Sequence, residues 1–400
     1  MGTMDRGFLL EIPYGTRDFL PKDAKVKREL ETTLARTFDL WGYDEIVTPS
    51  IEYADTLTIT NRSGLENQLF KFFDKNNRTL ALRHEMTTPI ARVAASRMSD
   101  DVLPFKLSYI SSVYRYEQTQ EGRQCEFYQA GVELMGASDA SADAEIIALA
   151  VDCLKRAGLA DFEICLGQVE FINGLMKQMG LSAQKQNEIR RALEKRNLVD
   201  LARAVDDTGL PEKAKCALKS IPMLQGGKEV LETANALALN EQSRRALDNL
   251  SDIYKLLETY GVADHVTFDL GVIRDFDYYT GMVFEAYAPG IGYPICGGGR
   301  YDNMLSDFGT DCPATGFALG IERLMLALSC QSESALADRK KGTYIAYADG
   351  CREEAIKKAS KLRSNGSIVE LALVPQTEEE AKRYQLEKNI REFIYVKAVK

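Results

Sequence analysis

The sequence predicts an α+β protein, and three observations carry that expectation. Two β-rich runs, 105–117 and 125–135, are joined by a loop rich in Gln, Glu and Gly, which is the pattern of an antiparallel hairpin. Residues 170–260 are almost wholly helical in character, with breaks at Gly180, Pro211, Pro222 and Gly226, and read as an inserted helical domain. The tail alternates strand 343–348, helix 352–364, strand 367–374, helix 377–388 and strand 392–397, a small α/β unit.

The remaining elements follow in chain order. Residues 22–42 form an amphipathic helix with Leu30, Leu34, Phe38 and Leu40 on its apolar stripe and Gly42 as its stop. A strand runs from Asp44 to Pro49, and 67–83 reads as a hairpin turning at Lys75-Asn76-Asn77. Helix 142–157 turns Ile146, Leu149, Val151 and Leu154 inward. β character returns at 265–288 and 292–297, a helix spans Gly316–Leu328, and a polar linker covers 329–341. The domain boundaries expected are 1–169 and 263–330 for the two parts of a core, 170–262 for the insertion and 341–400 for the tail.

Composition narrows the function classes. A chain of 400 residues suffices for two or three domains with at least one large core. Hydrophobic residues at 45% and charged residues at 27% are ordinary for a soluble globular protein. A net charge of -9 argues against a broad non-specific nucleic-acid surface, though not against a local basic groove. With eight cysteines, no C-x-x-C pair and two histidines, a zinc site has no support and no metal is expected. The first residues lack an apolar signal core, Arg6 breaks a myristoylation pattern, and no apolar run reaches the ~18 residues of a membrane span. The expected location is the cytoplasm.

Candidate chemistry lies in five segments. Side chains two apart on a strand share a face, so Arg115 and Glu117 point one way, as do Phe127, Gln129, Gly131 and Glu133 on the returning strand. If these faces coincide, carboxylates, a guanidinium and an amide converge; a solvated polar face fits the alternation as well. Glu85 and Thr87 share a face at a strand end and could hold an ammonium group, while Thr88 before Pro89 also reads as a helix cap. The third segment is Arg274-Asp-Phe-Asp-Tyr-Tyr279-Thr-Gly281. The fourth is Gly297-Gly-Gly-Arg-Tyr301-Asp302, either a close backbone approach to a ligand or a tight turn between strands. In the fifth, Gly316 to Arg323, small residues suit a helix packed on a sheet, and Arg323 could grip a triphosphate.

In this order and spacing the segments resemble the motifs of class II aminoacyl-tRNA synthetases, from about residue 12 to 328, in the histidine branch. The stretch ending in Thr48-Pro49 resembles motif 1, Arg115-Tyr-Glu117 to Phe127 motif 2, and Gly316 to Arg323 motif 3. Arg274-Asp-Phe-Asp-Tyr-Tyr279 and Gly298-Gly-Arg-Tyr301-Asp302 are similar to the histidine-specific segments. The resemblance implies an antiparallel sheet core flanked by helices, a homodimer and a histidine pocket. It implies that Glu85, Thr87, Gln129, Glu133 and Tyr279 hold histidine and that Tyr301 lies near its imidazole. Arg274 matches the arginine that stands in for a metal during adenylation, and Arg115, Glu117 and Arg323 form a possible vestigial ATP site.

Departures from the synthetase pattern point to a branch. His84 and Met86 replace the proline and glycine of R-P-E-G-T, Gln118 and Cys125 stand where motif 2 arginines would, and Glu121 is added. Met86-Thr, Pro89-Ile-Ala-Arg-Val-Ala-Ala-Ser and Ser141-Ala-Asp-Ala-Glu resemble the regulatory subunits of ATP phosphoribosyltransferase. That resemblance implies a chain without catalytic residues or a cofactor, which assembles with a short-form catalytic chain and binds free histidine for feedback control, with tRNA not a partner. An active histidyl-tRNA synthetase is the alternative, and a tRNA-binding sensor without a partner enzyme is a third reading. Arg115, Arg274 and Arg323 could serve ATP, a carboxylate or a buried ion pair, and the sequence leaves the three open.

Overall fold

The computed structural model describes residues 10–59, 65–116, 124–238, 240–272, 279–331 and 341–397. They fall into two compact units, Met1–Ala335 and Leu336–Lys400.

In the larger unit, α1 (Pro21–Leu40) starts on a proline, whose missing N–H costs nothing in a first turn. Leu30, Leu34 and Phe38 are buried, but Leu40 is 60% exposed, because the helix ends there and its last side chain turns outward. The strand expected from Asp44 to Pro49 shrinks to β1 (Asp44–Glu45). The chain then leaves for β2 (Ile51–Tyr53), which forms a small sheet with β3 (Lys71–Phe73) and β4 (Thr79–Leu82), backed by α2 (Ala54–Thr58) and α3 (Thr87–Arg97). The β3–β4 hairpin turns where expected, with Asn77 at φ 58.

The hairpin expected from the two β-rich runs is β5 (Phe105–Tyr114) and β6 (Glu126–Met135). It is followed by α4 (Ala140–Arg156), whose Ile146, Leu149, Val151 and Leu154 are all buried, and by β7 (Glu163–Gln168). The helical stretch comprises α5 (Val169–Gln178), α6 (Ala183–Glu194), α7 (Leu198–Asp206), α8 (Glu212–Ser220), α9 (Glu229–Leu237) and α10 (Glu241–Tyr260). It is interrupted by a two-residue strand, β8 (Gln225–Gly226).

The chain returns through β9 (Val266–Asp269), β10 (Met282–Tyr287), β11 (Cys296–Arg300) and β12 (Ala314–Gly320) to α11 (Ile321–Gln331). The expected helix over Gly316–Leu328 is thus strand for its first five residues. The nine-stranded sheet runs β1-β5-β6-β12-β11-β10-β7-β9-β8; β1–β5 and β7–β9 are parallel and the other pairings antiparallel.

Both faces of this sheet are covered. Ala130, Val132, Leu134, Phe317 and Phe284 join the main core with α1, α4 and α10. Leu107, Tyr109, Val113 and Met135 face the other way, into a second cluster with Met86, Ile90 and Tyr301. The solvated polar face that the alternation allowed is therefore not formed, which explains the apolar residues on both parities of the hairpin.

The smaller unit follows the expected order: β13 (Lys341–Tyr347), α12 (Arg352–Ser364), β14 (Val369–Leu371), α13 (Glu378–Glu387) and β15 (Ile390–Val396). Its three strands are parallel in the order β14-β13-β15. Helix α13 opens with a Thr377–Glu380 capping box.

Candidate functional site: a cavity on the hairpin face

The second face of the sheet holds a cavity of about 520 Å³. Every described residue expected at the site lines it: Glu85, Thr87, Arg115, Gln129, Glu133, Tyr279, Tyr301 and Arg323. Arg274 and Glu117 lie outside the described residues.

Strand register builds the floor. Glu133 on β6 is opposite Gly316 on β12, which is opposite Gly299 on β11. One step along, Tyr109, Gly131, Ala318 and Gly297 share a rung. The small residues make room for large neighbours. A Cβ at Gly316 would overlap the Glu133 carboxylate, one at Gly131 would sit 2.5 Å from the Tyr109 hydroxyl, and one at Gly299 would sit 2.8 Å from the Tyr279 ring. The glycine triplet is therefore strand and not turn, and Gly316 serves close approach within a sheet and not helix packing.

Glu85 and Thr87 sit at a helix start and not on a strand. Glu85 Oε2 accepts from Thr87 N at 2.6 Å and Oε1 from Thr88 N at 2.9 Å, so this carboxylate satisfies the first N–H groups of α3. Thr88 is consequently not the cap; the helix begins at Thr87. The Thr87 hydroxyl is free to donate to Glu133 Oε1 at 2.8 Å, and the Tyr301 hydroxyl donates to Glu133 Oε2.

Glu133 is 1% exposed, and burial pushes its pKa up to about 8. The two hydroxyl donors oppose that rise and the charge of Glu85 adds to it. Beside it, Gln129 Oε1 is buried with no hydrogen-bond partner among the described residues. An unmet buried acceptor next to two carboxylates is a site for a donor-rich ligand. Burial lowers the pKa of the neighbouring His84 to about 4, so its imidazole is neutral at pH 7.

Tyr301 is positioned from below. Arg300 meets the fully buried Asp143 of α4 through Nε at 3.1 Å and Nη2 at 2.9 Å, and its Nη1 reaches Asp302 at 3.0 Å. Asp302 N donates to Thr280 Oγ1 at 2.9 Å, which ties the Tyr279–Thr280 stretch to the same strand end.

The other end of the cavity is cationic. Arg115 donates from Nε to His84 O at 2.9 Å and lies over Phe127; Arg323 donates from Nη1 to Pro294 O at 2.8 Å and lies over Tyr293. The sequence reading missed three residues here. Arg17 lines the cavity behind Gly15, which has φ 76 and packs on Cys125; a glycine ahead of a charged pair was the available signal. Gln124 brings a second buried Oε1 with no hydrogen-bond partner among the described residues, and Glu322 accepts the N–H of Tyr128. Neither had a sequence signal. The cavity thus has an acidic, acceptor-rich end and a basic end, suited to a zwitterion.

A family model described as Histidyl-tRNA synthetase matches residues 15–324. An ATP phosphoribosyltransferase regulatory subunit of Moorella thermoacetica is 44% identical over 372 residues, covering 93% of this chain and 94% of that one. The chain belongs to the family of ATP phosphoribosyltransferase regulatory subunits. Its larger unit carries the histidyl-tRNA synthetase domain of that family. A solved structure described as an ATP phosphoribosyltransferase regulatory subunit/histidyl-tRNA synthetase from Bacillus halodurans matches with a TM-score of 0.88 at 38% identity, covering 98% of this chain and 100% of that one. Histidyl-tRNA synthetase from Nostoc sp. PCC 7120, at 20% identity and a TM-score of 0.83 over 97% of this chain and 92% of that one, shares the fold. The expected synthetase-like α+β fold is thus observed. No helix among the described residues is long and apolar enough to cross a membrane.

Proposed function

We propose that this chain is the non-catalytic, histidine-sensing subunit of a cytoplasmic ATP phosphoribosyltransferase complex, the first step of histidine biosynthesis. The observation that carries the reading is the buried Glu133, gripped by Thr87 and Tyr301, beside the unmet Gln129 acceptor. A free amino acid needs acceptors for its ammonium group, a cation for its carboxylate and partners for its side chain. In this reading Glu85, Thr87, Gln129, Glu133 and Tyr279 supply these, with Tyr301 near the imidazole, and Arg274, outside the described residues, joins them on the resemblance alone. Histidine would shift the complex to an inactive arrangement by binding its two states unequally. The partner is a short-form catalytic chain, joined to synthetase-like homodimers of this one in a hetero-oligomer. In this reading 1–169 and 263–330 form the synthetase-like core, 170–262 its insertion and 341–400 an anticodon-binding-like domain.

An active histidyl-tRNA ligase is the second reading, favoured by Arg115 and Arg323 lining the same cavity. Against it, Met86 fills buried space where the synthetase pattern has glycine, and Cys125 is buried beneath Gly15 where that pattern has an arginine. Phosphate binding needs cations there. Co-purification with a short catalytic chain, assayed with and without histidine, tests the proposal: the complex should be active and histidine should inhibit it. Histidine-dependent ATP–pyrophosphate exchange by this chain alone would overturn it in favour of the ligase.

A further inference from the structure

A second cavity, of about 190 Å³, lies where the junction of α6 and α7 meets the end of β9. Leu193, Leu201 and Met223 give it apolar walls; the two leucines are buried and Met223 is 68% exposed. Its polar wall is built on Asp269, which is 4% exposed and committed to three donors. These are Arg196 Nη2 at 3.1 Å, Gln225 Nε2 at 3.0 Å and Gly271 N at 3.0 Å.

Arg196 stands in a left-handed conformation, φ 48, at the end of α6. Arg196 N bonds Leu193 O and Asn197 N bonds Ala192 O, a closing turn that ordinarily takes glycine. A side chain there costs on the order of 1 kcal/mol, so the backbone geometry does not favour arginine at this position. Asp269 holds one Nη of that guanidinium. Its Nε and Nη1 have no hydrogen-bond partner among the described residues, and the side chain is 56% exposed at the cavity mouth.

We propose that this cavity binds a compact apolar monocarboxylate, with its body against Leu193, Leu201 and Met223 and its carboxylate on the spare donors of Arg196. One cation and a small apolar volume do not suit a nucleotide. An amino acid fits poorly because the cavity's carboxylate already serves three donors. The site is separate from the Glu133 cavity and stands whether or not that cavity takes histidine.

The test is fluorine NMR of 4-fluorobenzoate with the full-length chain, using 4-fluorobenzamide as the neutral match. Saturable binding of the acid, at least tenfold tighter than the amide, is expected. Arg196→Gly relieves the left-handed strain and should weaken the acid at least tenfold, whereas Arg115→Gln, which alters the larger cavity, should not. Equal binding of acid and amide, no binding of either, or undiminished binding by folded Arg196→Gly overturns the proposal. The acid–amide comparison on the unaltered chain decides the matter should the variant fail to fold.

Discussion

Gly316 lies directly across the β6–β12 ladder from Glu133, and a methyl group on it would come within 3.0 Å of the Glu133 Cδ atom. The carboxylate occupies the space that any other residue on that rung would fill. Gly316→Ala should therefore displace Glu133 from Thr87 and Tyr301. We expect a loss of about 1–3 kcal/mol of stability from overpacking and at least a tenfold drop in histidine affinity by calorimetry. Gly292→Ala, where nothing lies within 4 Å, is the control and should change neither.

Glu133 makes the ligand-free fold pH-sensitive. Its pKa rises from 4.5 unfolded to about 8 folded, so the folded state favours the protonated acid. Its contribution is fully present below pH 4.5 and is lost as pH rises through about 8. The loss is on the order of 5 kcal/mol. Glu133→Gln should flatten this part of a stability–pH curve from urea unfolding; an unchanged slope would place the dependence elsewhere.

Histidine binding should respond to the same group. Glu133→Ala should abolish binding in calorimetry with the oligomeric state by light scattering unchanged. In the unaltered chain below pH 8, binding of a cationic group beside Glu133 should release a proton. The measured enthalpy would then depend on the ionisation enthalpy of the buffer, and Glu133→Gln should remove that dependence.

Asp143 and Arg300 test the support beneath Tyr301. Asp143→Ala leaves a guanidinium of 8% exposure without its main partner. Unpaired buried charges cost about 3–5 kcal/mol, so the thermal midpoint should fall by several degrees. Asp143→Leu with Arg300→Met should recover much of the stability but not histidine affinity, because Asp302, next to Tyr301, would still lose its guanidinium partner.

Helix α4 was legible because it keeps one period over 17 residues, and the hairpin and the α/β tail because β-rich and helical runs are set apart by polar loops. Gly316 to Gly320 was not, since small residues serve helix packing and close strand approach equally well, and only the neighbour across the ladder decides. Glu85 was read as a ligand and Thr88 as a cap, although Glu85 caps α3 as well. Which residues shared a face was legible at the site. Whether that face met water was not, because burial depends on α3 and the Tyr301 strand end packing over it from distant parts of the chain.

The β6–β12 ladder joins residues 129–135 to residues 314–320. During synthesis the first wall of the cavity must wait for the whole of α5 to α10 to emerge before its facing strand exists. Until then Glu133 has neither Tyr301 nor a glycine floor, and the exposed edge of β6 has no strand to shield it. A ribosome stalled within the insertion would therefore hold a nascent chain whose cavity lacks its facing wall and whose β6 edge is open to aggregation. Competence at this cavity is in effect a late checkpoint on synthesis of the larger unit.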